Sequence, residues 1–519
     1  KVSWGDNAVF TLTPNAHMAA KANSNCGGIA NFSNSGTTFT VYNVTADCTV
    51  TFSFQSIMHD VTAKVVDGMF VPAAPTEVAG QADFVALDTA NKALYAVDEN
   101  GDSGSIQAST YDASGALTAY ASALSAPMAA SCDGSSGNSA PGHCLQVGEN
   151  GNATDRVYAI LNQNNGSVIR VYQASSGDLT KVADVDPAAN LVDGNSQAIS
   201  ILEVNAIALD GAHNRLFAAV RTKDINGQED TGVLSYDIAA DGTFNVNQGV
   251  LLGNSGARQL NGLVANAAGS DLYVSFDEPS QSSAVSDKAG VLHFTVDTST
   301  GQISSTWAAS ILSQDGIKTQ DLALTPDSKK AYYIYAFDNA PFGTPVAVKG
   351  YSLDGNGDLS SPVNLLSYSD TQRVAMTIAD NGKVAYLRAE TSSTSSTANN
   401  IAIYAIDSST PKLSLKATAT TLASNNTHSM AIDYSNGLAY VADPAGNTIS
   451  QYRVGTDKGS VSPSSQQVDD GGTATVTLTA TDPSYLAAAS GCGGTLSANT
   501  YSASNITASC QVIGTFVKP

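Results

Sequence analysis

Residues 205–217 read NAIALDGAHNRLF, a short strand of small apolar residues followed by a turn and an aromatic residue. Residues 236–244 read YDIAADGTF, an aromatic strand that runs into a tight hairpin. Closely similar phrases recur between Phe84 and Tyr452. Short alternating runs separated by Gly and Asp turns predict β-strands.

Two aromatic landmarks, one in each phrase, repeat seven times and keep step with each other. The first set, separated by 63, 59, 56, 59, 54 and 54 residues, is Tyr95, Tyr158, Phe217, Tyr273, Tyr332, Tyr386 and Tyr440. The second set is Tyr111, Tyr172, Tyr236, Phe294, Tyr351, Tyr404 and Tyr452. Such a period, built from short strands and turns, is typical of four-stranded blades repeated around an axis. The sequence therefore predicts a seven-bladed β-propeller, an all-β fold.

Composition narrows the possible functions. The chain has 519 residues, a net charge of −22 and only 13% charged residues. Nucleic-acid binding needs clustered Lys and Arg, so this charge argues against a nucleic-acid partner and against an anionic membrane surface. No apolar run reaches the roughly 20 residues of a membrane-spanning helix. Because Lys1 stands in what reads as the middle of a β-domain, we expect a further segment upstream of it.

Six cysteines fall into three local pairs, and we predict that each pair is a disulfide: Cys26–Cys48, Cys132–Cys144 and Cys492–Cys510. None has the spacing of a zinc site. Disulfides persist in oxidising compartments, so the sequence predicts a secreted or cell-surface protein.

The two ends of the chain resemble each other. Residues 8–13 (AVFTLT) match 474–479 (ATVTLT), and each end has a CGG and a closing T-A-x-C strand. These ends resemble the short β-rich repeats of bacterial surface proteins. We therefore predict three domains: a small β-sandwich-like module at residues 1–57, the propeller at 58–458 and a second module at 459–519.

The N-terminal copy lacks the segment that opens its C-terminal counterpart, Gly459–Pro463 and Gln466–Val468. Either this strand was trimmed, or the copy exposes an unpaired edge that another chain could fill. We expect Val61–Val66 to return as the fourth strand of the seventh blade and close the ring. Residues 459–461 suit either that blade or the C-terminal module.

Candidate ligand-binding residues stand twelve positions before each aromatic residue of the first set. They are Asp83, Gln146, Asn205, Asn261, Gln320, Val374 and His428, with Arg373 beside the one apolar member. Polar residues at this point of an inner strand could simply line a wet channel. They could also form a ligand funnel whose ionisable members are Asp83, Arg373 and His428. We expect all seven positions at one depth around the channel.

The spacing of strands and hairpins in residues 58–458 resembles that of the lactonase-like seven-bladed propellers, where Y-x-x-D-x-x-G-x-L hairpins follow an L-Y strand. That resemblance implies a carboxylate-rich metal site at the channel, but the matched positions supply one carboxylate and mostly amides. We therefore predict no metal, no cofactor and no catalytic residue. The aspartate-rich segments at 98–102, 224–230 and 354–358 lack a complete calcium-loop pattern and are predicted as turns. The other histidines (His17, His59, His143, His213 and His293) show no ligand spacing.

Two functional hypotheses follow. The first is a surface structural or interaction protein, such as an adhesin, matrix component or filament subunit, that associates with itself or with other surface proteins or glycans through its end modules. The second is an extracellular lactonase-like hydrolase or small-ligand or sugar binder that acts at the propeller funnel.

Overall fold

The computed structural model describes residues 1–26, 30–32, 37–73, 84–98, 105–119, 124–125, 143–148, 151–163, 166–175, 178–188, 191–192, 196–253, 258–278, 288–313, 317–337, 346–360, 362–368, 371–391, 400–420, 430–443 and 448–519. These residues divide into two compact units, Lys1–Asp67 with Gly455–Pro519, and Gly68–Val454. Apart from two 3-10 turns at Gly151–Ala153 and Gly211–His213, the described regular structure consists of β-strands.

The strands follow one another in chain order. The N-terminal strands are β1 (Ala8–Thr11), β2 (Met18–Ser24), β3 (Ala30–Phe32), β4 (Thr38–Val41), β5 (Val50–Ser56) and β6 (Met58–Val65). The second unit contains β7 (Phe70–Pro72), β8 (Phe84–Asp88), β9 (Ala93–Asp98), β10 (Ser105–Tyr111), β11 (Leu117–Ala119), β12 (Leu124–Ser125), β13 (Leu145–Gly148), β14 (Arg156–Gln163), β15 (Gly166–Ser175), β16 (Asp178–Val185), β17 (Ser200–Asp210), β18 (Arg215–Lys223), β19 (Glu229–Ile238), β20 (Phe244–Leu251), β21 (Gln259–Ala265), β22 (Asp271–Glu278), β23 (Lys288–Val296), β24 (Ile303–Ser313), β25 (Ile317–Leu324), β26 (Lys330–Phe337), β27 (Val346–Ser352), β28 (Val363–Tyr368), β29 (Thr371–Ile378), β30 (Val384–Thr391), β31 (Asn400–Ile406), β32 (Leu413–Thr420), β33 (Met430–Asp433), β34 (Leu438–Asp443) and β35 (Thr448–Val454). The C-terminal strands are β36 (Gly459–Ser462), β37 (Ser465–Asp469), β38 (Gly472–Ala480), β39 (Leu486–Ser490), β40 (Thr495–Ser497), β41 (Thr500–Ile506) and β42 (Cys510–Val517).

Among the described residues of the second unit, seven antiparallel sheets succeed one another: β8–β11 with β12 added, β13–β16, β17–β20, β21–β24, β25–β28, β29–β32, and β33–β35 with β7. The first strand of each sheet lies against the first strand of the next, and β33 lies against β8. A closed succession of four-stranded sheets around inner strands is the β-propeller fold. The all-β prediction is thus confirmed.

The last sheet is completed by a strand from the front of this unit, which removes an exposed edge. β7 pairs antiparallel with β35, and the Phe70 ring stacks between Tyr386 and Tyr452 at 4.9 and 5.3 Å. The expectation that Val61–Val66 would fill this place is wrong. That segment forms β6, which pairs with β37 and β42 in the other unit, because Val61 and Ala63 are buried in the core there. The segment at 459–461 likewise pairs with β38 and not with the seventh sheet.

Three of the repeated aromatic residues join neighbouring sheets by a hydrogen bond. The hydroxyl of Tyr158 donates to the carbonyl of Gly242 in the hairpin of the next sheet, at 2.9 Å. Tyr273 and Tyr440 make the same bond to Gly357 and Gly115, at 2.7 and 2.9 Å. These three glycines have φ between +77° and +83°, a conformation that favours residues without a Cβ. These three landmarks therefore anchor their sheets to the neighbouring ones.

Two facing sheets form the C-terminal part of the first unit. Their strand orders are β36-β38-β41-β40 and β37-β6-β42-β39. Strand β6 runs parallel to β42 and antiparallel to β37, and it brings Val61 and Ala63 into a core with Val512 and Phe516. We call β36–β42 the C-terminal strand set, and β6 completes its core although it precedes the set by about 400 residues.

The N-terminal strands β1–β5, which we call the N-terminal strand set, repeat this pairing in the same register. Ala8 faces Val41 as Ala474 faces Ala503, and Ala20 faces Phe54 as Ala487 faces Phe516. Each set has one disulfide, as predicted: Cys26–Cys48 and Cys492–Cys510. Cys132 lies outside the described residues, so the Cys132–Cys144 bond stays a prediction.

Candidate functional site

The predicted channel residues that the structure describes lie on the inner strands. Gln146, Asn205, Asn261, Gln320 and Val374 belong to the first strands of five consecutive sheets, β13, β17, β21, β25 and β29. Arg373 precedes Val374 on β29, which gives its backbone position only. Asp83 and His428 lie outside the described residues. The single-depth ring around the channel therefore stays a prediction.

Three of these residues share a backbone irregularity. The pairing of the inner strand with its neighbour slips by one residue at Asn205, at Asn261 and at Gln320. Such β-bulges leave the extra residue outside the ladder and turn its side chain in a new direction. Three consecutive inner strands thus carry an amide residue at a β-bulge. The twelve-residue spacing identified these residues in the sequence, but it did not predict the bulges.

A buried carboxylate lies beside two of these bulges. Asp277, on β22, is 4% exposed and accepts a hydrogen bond from the Asn261 amide at 2.8 Å and from the Thr319 backbone N–H at 2.6 Å. The Thr319 hydroxyl lies 3.0 Å from the hydroxyl of Tyr333. Burial raises the pKa of Asp277 to about 7, although both hydrogen bonds act in the opposite direction. Asp277 can therefore hold or release a proton near neutral pH.

His143 was missed as a site residue. It precedes β13, is 7% exposed, and its Nε2 lies 3.5 Å from Asp321 on β25, three sheets further along the chain. A Cβ built on Gly262 would lie 3.4 Å from the His143 ring and 2.8 Å from the Ser275 hydroxyl. The imidazole thus reaches across to the fourth and fifth sheets. In the sequence, only its position next to Cys144, a predicted disulfide cysteine, indicated that His143 would be held in place.

A second histidine missed in the sequence lies between the same two sheets. His293 is buried between Asp271 and Asp358, with ring nitrogens 2.8 and 2.9 Å from their carboxylates. Carboxylates only accept, so each ring nitrogen must carry a proton to bond its carboxylate, which favours the imidazolium form of His293. Burial lowers the pKa of His293, but the two hydrogen bonds outweigh it and raise the pKa above 6.5. The ring stacks on Tyr273 at 4.9 Å.

These polar contacts come from one face of β22. Asp271, Tyr273 and Asp277 lie at alternate positions of the strand, and on the fifth sheet Asp271 and Tyr273 contact Gly357 while Asp277 contacts Thr319. The opposite face carries Leu272, Val274 and Phe276, which pack against the third sheet. In the sequence, this polar interface could have been recognised from the alternation of polar and apolar residues along Asp271–Glu278.

The aspartate-rich loops at 224–230 and 354–358 are turns, as predicted. The carboxylate of Asp224 accepts from the backbone N–H groups of Asn226 and Gln228, and that of Asp354 accepts from Asn356 and Asp358. Hydrogen bonds of this kind close an Asx turn. The third loop, at 98–102, lies largely outside the described residues. Within the described part of the chain, no three His, Cys, Asp or Glu side chains converge as a metal site would require.

The other candidate is the N-terminal strand set, whose sheets are β1-β4-β3 and β2-β5. Among the described residues, no strand pairs with the outer edge of β1 or of β5, whereas β36 and β6 cover the corresponding edges of β38 and β42. The core is open accordingly: Phe54 is 42% exposed and its counterpart Phe516 is fully buried. Gly459, the first residue of β36, packs on the Phe516 ring, and no described segment takes this place in the N-terminal set.

Comparison with known proteins does not indicate a function, so the geometry of the two candidate sites is the main basis for proposing one. No family model and no curated protein matches the chain. Solved structures similar to it include a protein from Lactobacillus plantarum, 16% identical, which covers 70% of this chain and 97% of its own, with a TM-score of 0.44. A functionally unknown protein from Desulfotomaculum acetoxidans is 11% identical, with coverages of 74% and 91% and a TM-score of 0.38. The Dos1 propeller is 10% identical, with coverages of 87% and 95% and a TM-score of 0.41.

No helix in the described residues has the length and apolar character needed to span a bilayer.

Proposed function

We propose that this chain is an extracellular interaction protein, of the adhesin, matrix or filament type, that associates with copies of itself through the N-terminal strand set. The observation that carries the proposal is the edge of β1, which no described strand covers, whereas β36 covers the edge of its C-terminal counterpart β38. Unpaired N–H and C=O groups on a sheet edge are a template for a strand of another chain.

Other features support this function. The seven sheets, taken as seven blades, would form a ring that the chain closes with its own strand β7. The disulfides favour an oxidising compartment outside the cell. A contact from the strand set of one copy to a different surface of the next is head-to-tail, and it propagates into a filament unless the rotation closes.

The test is the assembly state of the full chain, measured by light scattering and electron microscopy over a concentration series. We expect concentration-dependent oligomers, and we expect Val9→Lys on β1 to abolish them, because a charge on an exposed edge opposes strand pairing. Ala19→Lys, on an exposed position of β2, is the matched control and should assemble normally. A wild-type chain that stays monomeric at high concentration would refute the proposal.

Deletion of residues 1–56 should also abolish assembly, and it leaves β6 in place. Deletion of 459–519 is a poor test, because it removes both strands that pair with β6.

A small-ligand site at the inner strands is the second candidate function. The Asn205 Oδ1 atom and the Ser275 hydroxyl are buried without a hydrogen-bond partner in the described part of the structure. Unpaired buried acceptors and hydroxyls are costly unless a ligand or water satisfies them. Thermal-shift screening against sugars and lactones, with lactone hydrolysis assayed in parallel, tests this function. Binding that persists unchanged in Asn205→Ala would place the ligand elsewhere.

A further inference from the structure

The two strand sets differ most at the outer edge of their last strands, β5 and β42. In the C-terminal set this edge is occupied by β6, which runs parallel to β42 with Val61 opposite Cys510, Ala63 opposite Val512 and Val65 opposite Gly514. Val61 is 1% exposed and Ala63 is 7% exposed. The place is therefore built for an extended segment with small apolar residues at alternate positions.

Strand β6 is not part of the segment that it completes. Val61 and Cys510 are about 450 residues apart in the chain, so the C-terminal set takes its strand from a remote segment. Main-chain hydrogen bonds hold such a strand, and alternate side chains fill the core. Continuity with a neighbouring strand of the set is not needed.

The N-terminal set has the same edge without the strand. β5 pairs with β2 in the register in which β42 pairs with β39, and Cys48, Val50 and Phe52 stand where Cys510, Val512 and Gly514 stand. No described strand occupies the other side of β5. The rings of Phe10, Phe39 and Phe52 form a cluster at 5.3–5.6 Å, but only Phe39 among them is fully buried.

We infer that the free edge of β5 binds an extended peptide segment of a partner protein, parallel to β5, with Val- or Ala-sized residues at alternate positions. The inference rests on the proposed function, since the partner binds the same N-terminal strand set. It concerns the edge of β5 instead of that of β1, and it states which kind of segment binds there. The occupant is defined by the chemistry of β6: three small apolar residues that point inward and polar residues that point to solvent. One such residue would lie beside Val50, as Ala63 lies beside Val512.

The probe is a fluorescein-labelled peptide with the sequence of residues 58–65, MHDVTAKV, added to the disulfide-bonded full chain. We expect saturable binding in fluorescence anisotropy. The control peptide exchanges the residues equivalent to Val61 and Lys64, which keeps the composition but breaks the alternation. It should bind at least about tenfold more weakly, because a charged residue would face the core. Absence of binding, or equal binding of both peptides, would overturn the inference.

Disulfide trapping locates the peptide. A peptide with Ala63→Cys should cross-link to the Val50→Cys protein, because these positions would be neighbours in parallel register. Val512→Cys is the matched variant, and preferential cross-linking there would show exchange with β6 and would overturn the inference. Hydrogen–deuterium exchange on the wild-type chain avoids any folding defect of the variants, and it should show protection by the peptide over residues 50–56.

The two proposals can fail separately. If the chain stays monomeric but binds the peptide along β5, self-association is refuted and this inference stands. If the chain assembles but neither binds the peptide nor gains protection at β5, this inference is refuted and self-association stands.

Discussion

The two strand sets of the first unit share pairing order and register, yet only the C-terminal set has a closed core. Phe516 is fully buried, whereas Phe54 at the same position is 42% exposed. The difference does not come from the five repeated strands. It comes from β36, β37 and β6, which lie before those strands or far from them in the chain. A repeated strand pattern therefore specifies pairing, while closure of the core depends on which additional strands reach it.

The largest expected effect comes from a substitution in β6 that disrupts the core of the C-terminal strand set. Val61→Asp places a carboxylate in the core beside Val512, and burying an unpaired charge costs more than about 4 kcal/mol. We expect the first unit to lose its cooperative unfolding transition in calorimetry. Thr62→Asp, on the opposite face of the same strand, is the control and should change stability by less than about 1 kcal/mol. A normal transition in Val61→Asp would mean that β6 does not hold the C-terminal core together.

The next prediction compares the two equivalent phenylalanines. Phe516→Ala removes a fully buried ring and should lower the free energy of unfolding by about 3–5 kcal/mol. Phe54→Ala removes a half-exposed ring, and the cost should stay below about 1.5 kcal/mol, because less area is withdrawn from water. Chemical denaturation of both variants measures the contrast. Equal losses would show that the N-terminal core is closed in solution, by a partner or by the chain itself.

The disulfides sharpen the comparison further. Cys26–Cys48 and Cys492–Cys510 close loops with sequence separations of 22 and 18, so loop entropy assigns each about 3 kcal/mol. Replacing either pair by alanines should therefore have a similar effect, provided that both sets are folded. A much smaller loss for the N-terminal pair would show that the open set is already partly unfolded, and hydrogen exchange at β1 and β5 would check this directly.

How much of this could be predicted from the sequence depends on the range of the interaction. The aromatic repeats predicted the sheets correctly because Tyr158 and Tyr273 each bond to the next hairpin, a local and regular contact. The closing strand was misassigned because Val61–Val66 and Phe70–Pro72 both read as short strands. Only the long-range pairing of β6 with β42 distinguishes them.

The candidate site was predicted less completely than the fold. Spacing identified Asn205 and Asn261, since inner strands repeat with the blades. It could not find Asp277 or His143, because burial against a neighbouring sheet gives Asp277 its raised pKa, and His143 precedes its strand. Neither property has a period in the sequence.

The smallest expected effect concerns the junction between the two strand sets. The Asp470 carboxylate accepts from His17 Nδ1 of the N-terminal set and from His59 Nε2 of β6, both at 2.7 Å. These hydrogen bonds, that of His17 first, lower the pKa of Asp470 below 3.8. A carboxyl whose pKa is lower in the folded chain than in the unfolded one stabilises above pH 3.8, and this contribution is lost as the pH falls further.

Asp470→Asn removes the titrating group at this junction, so its melting temperature should fall less steeply than that of the wild type between about pH 5 and pH 3. Asp469→Asn changes the neighbouring exposed carboxylate and should keep the wild-type slope. Differential scanning calorimetry at several pH values compares the three proteins. Identical slopes for all three would mean that His17 and His59 do not hold Asp470 in solution.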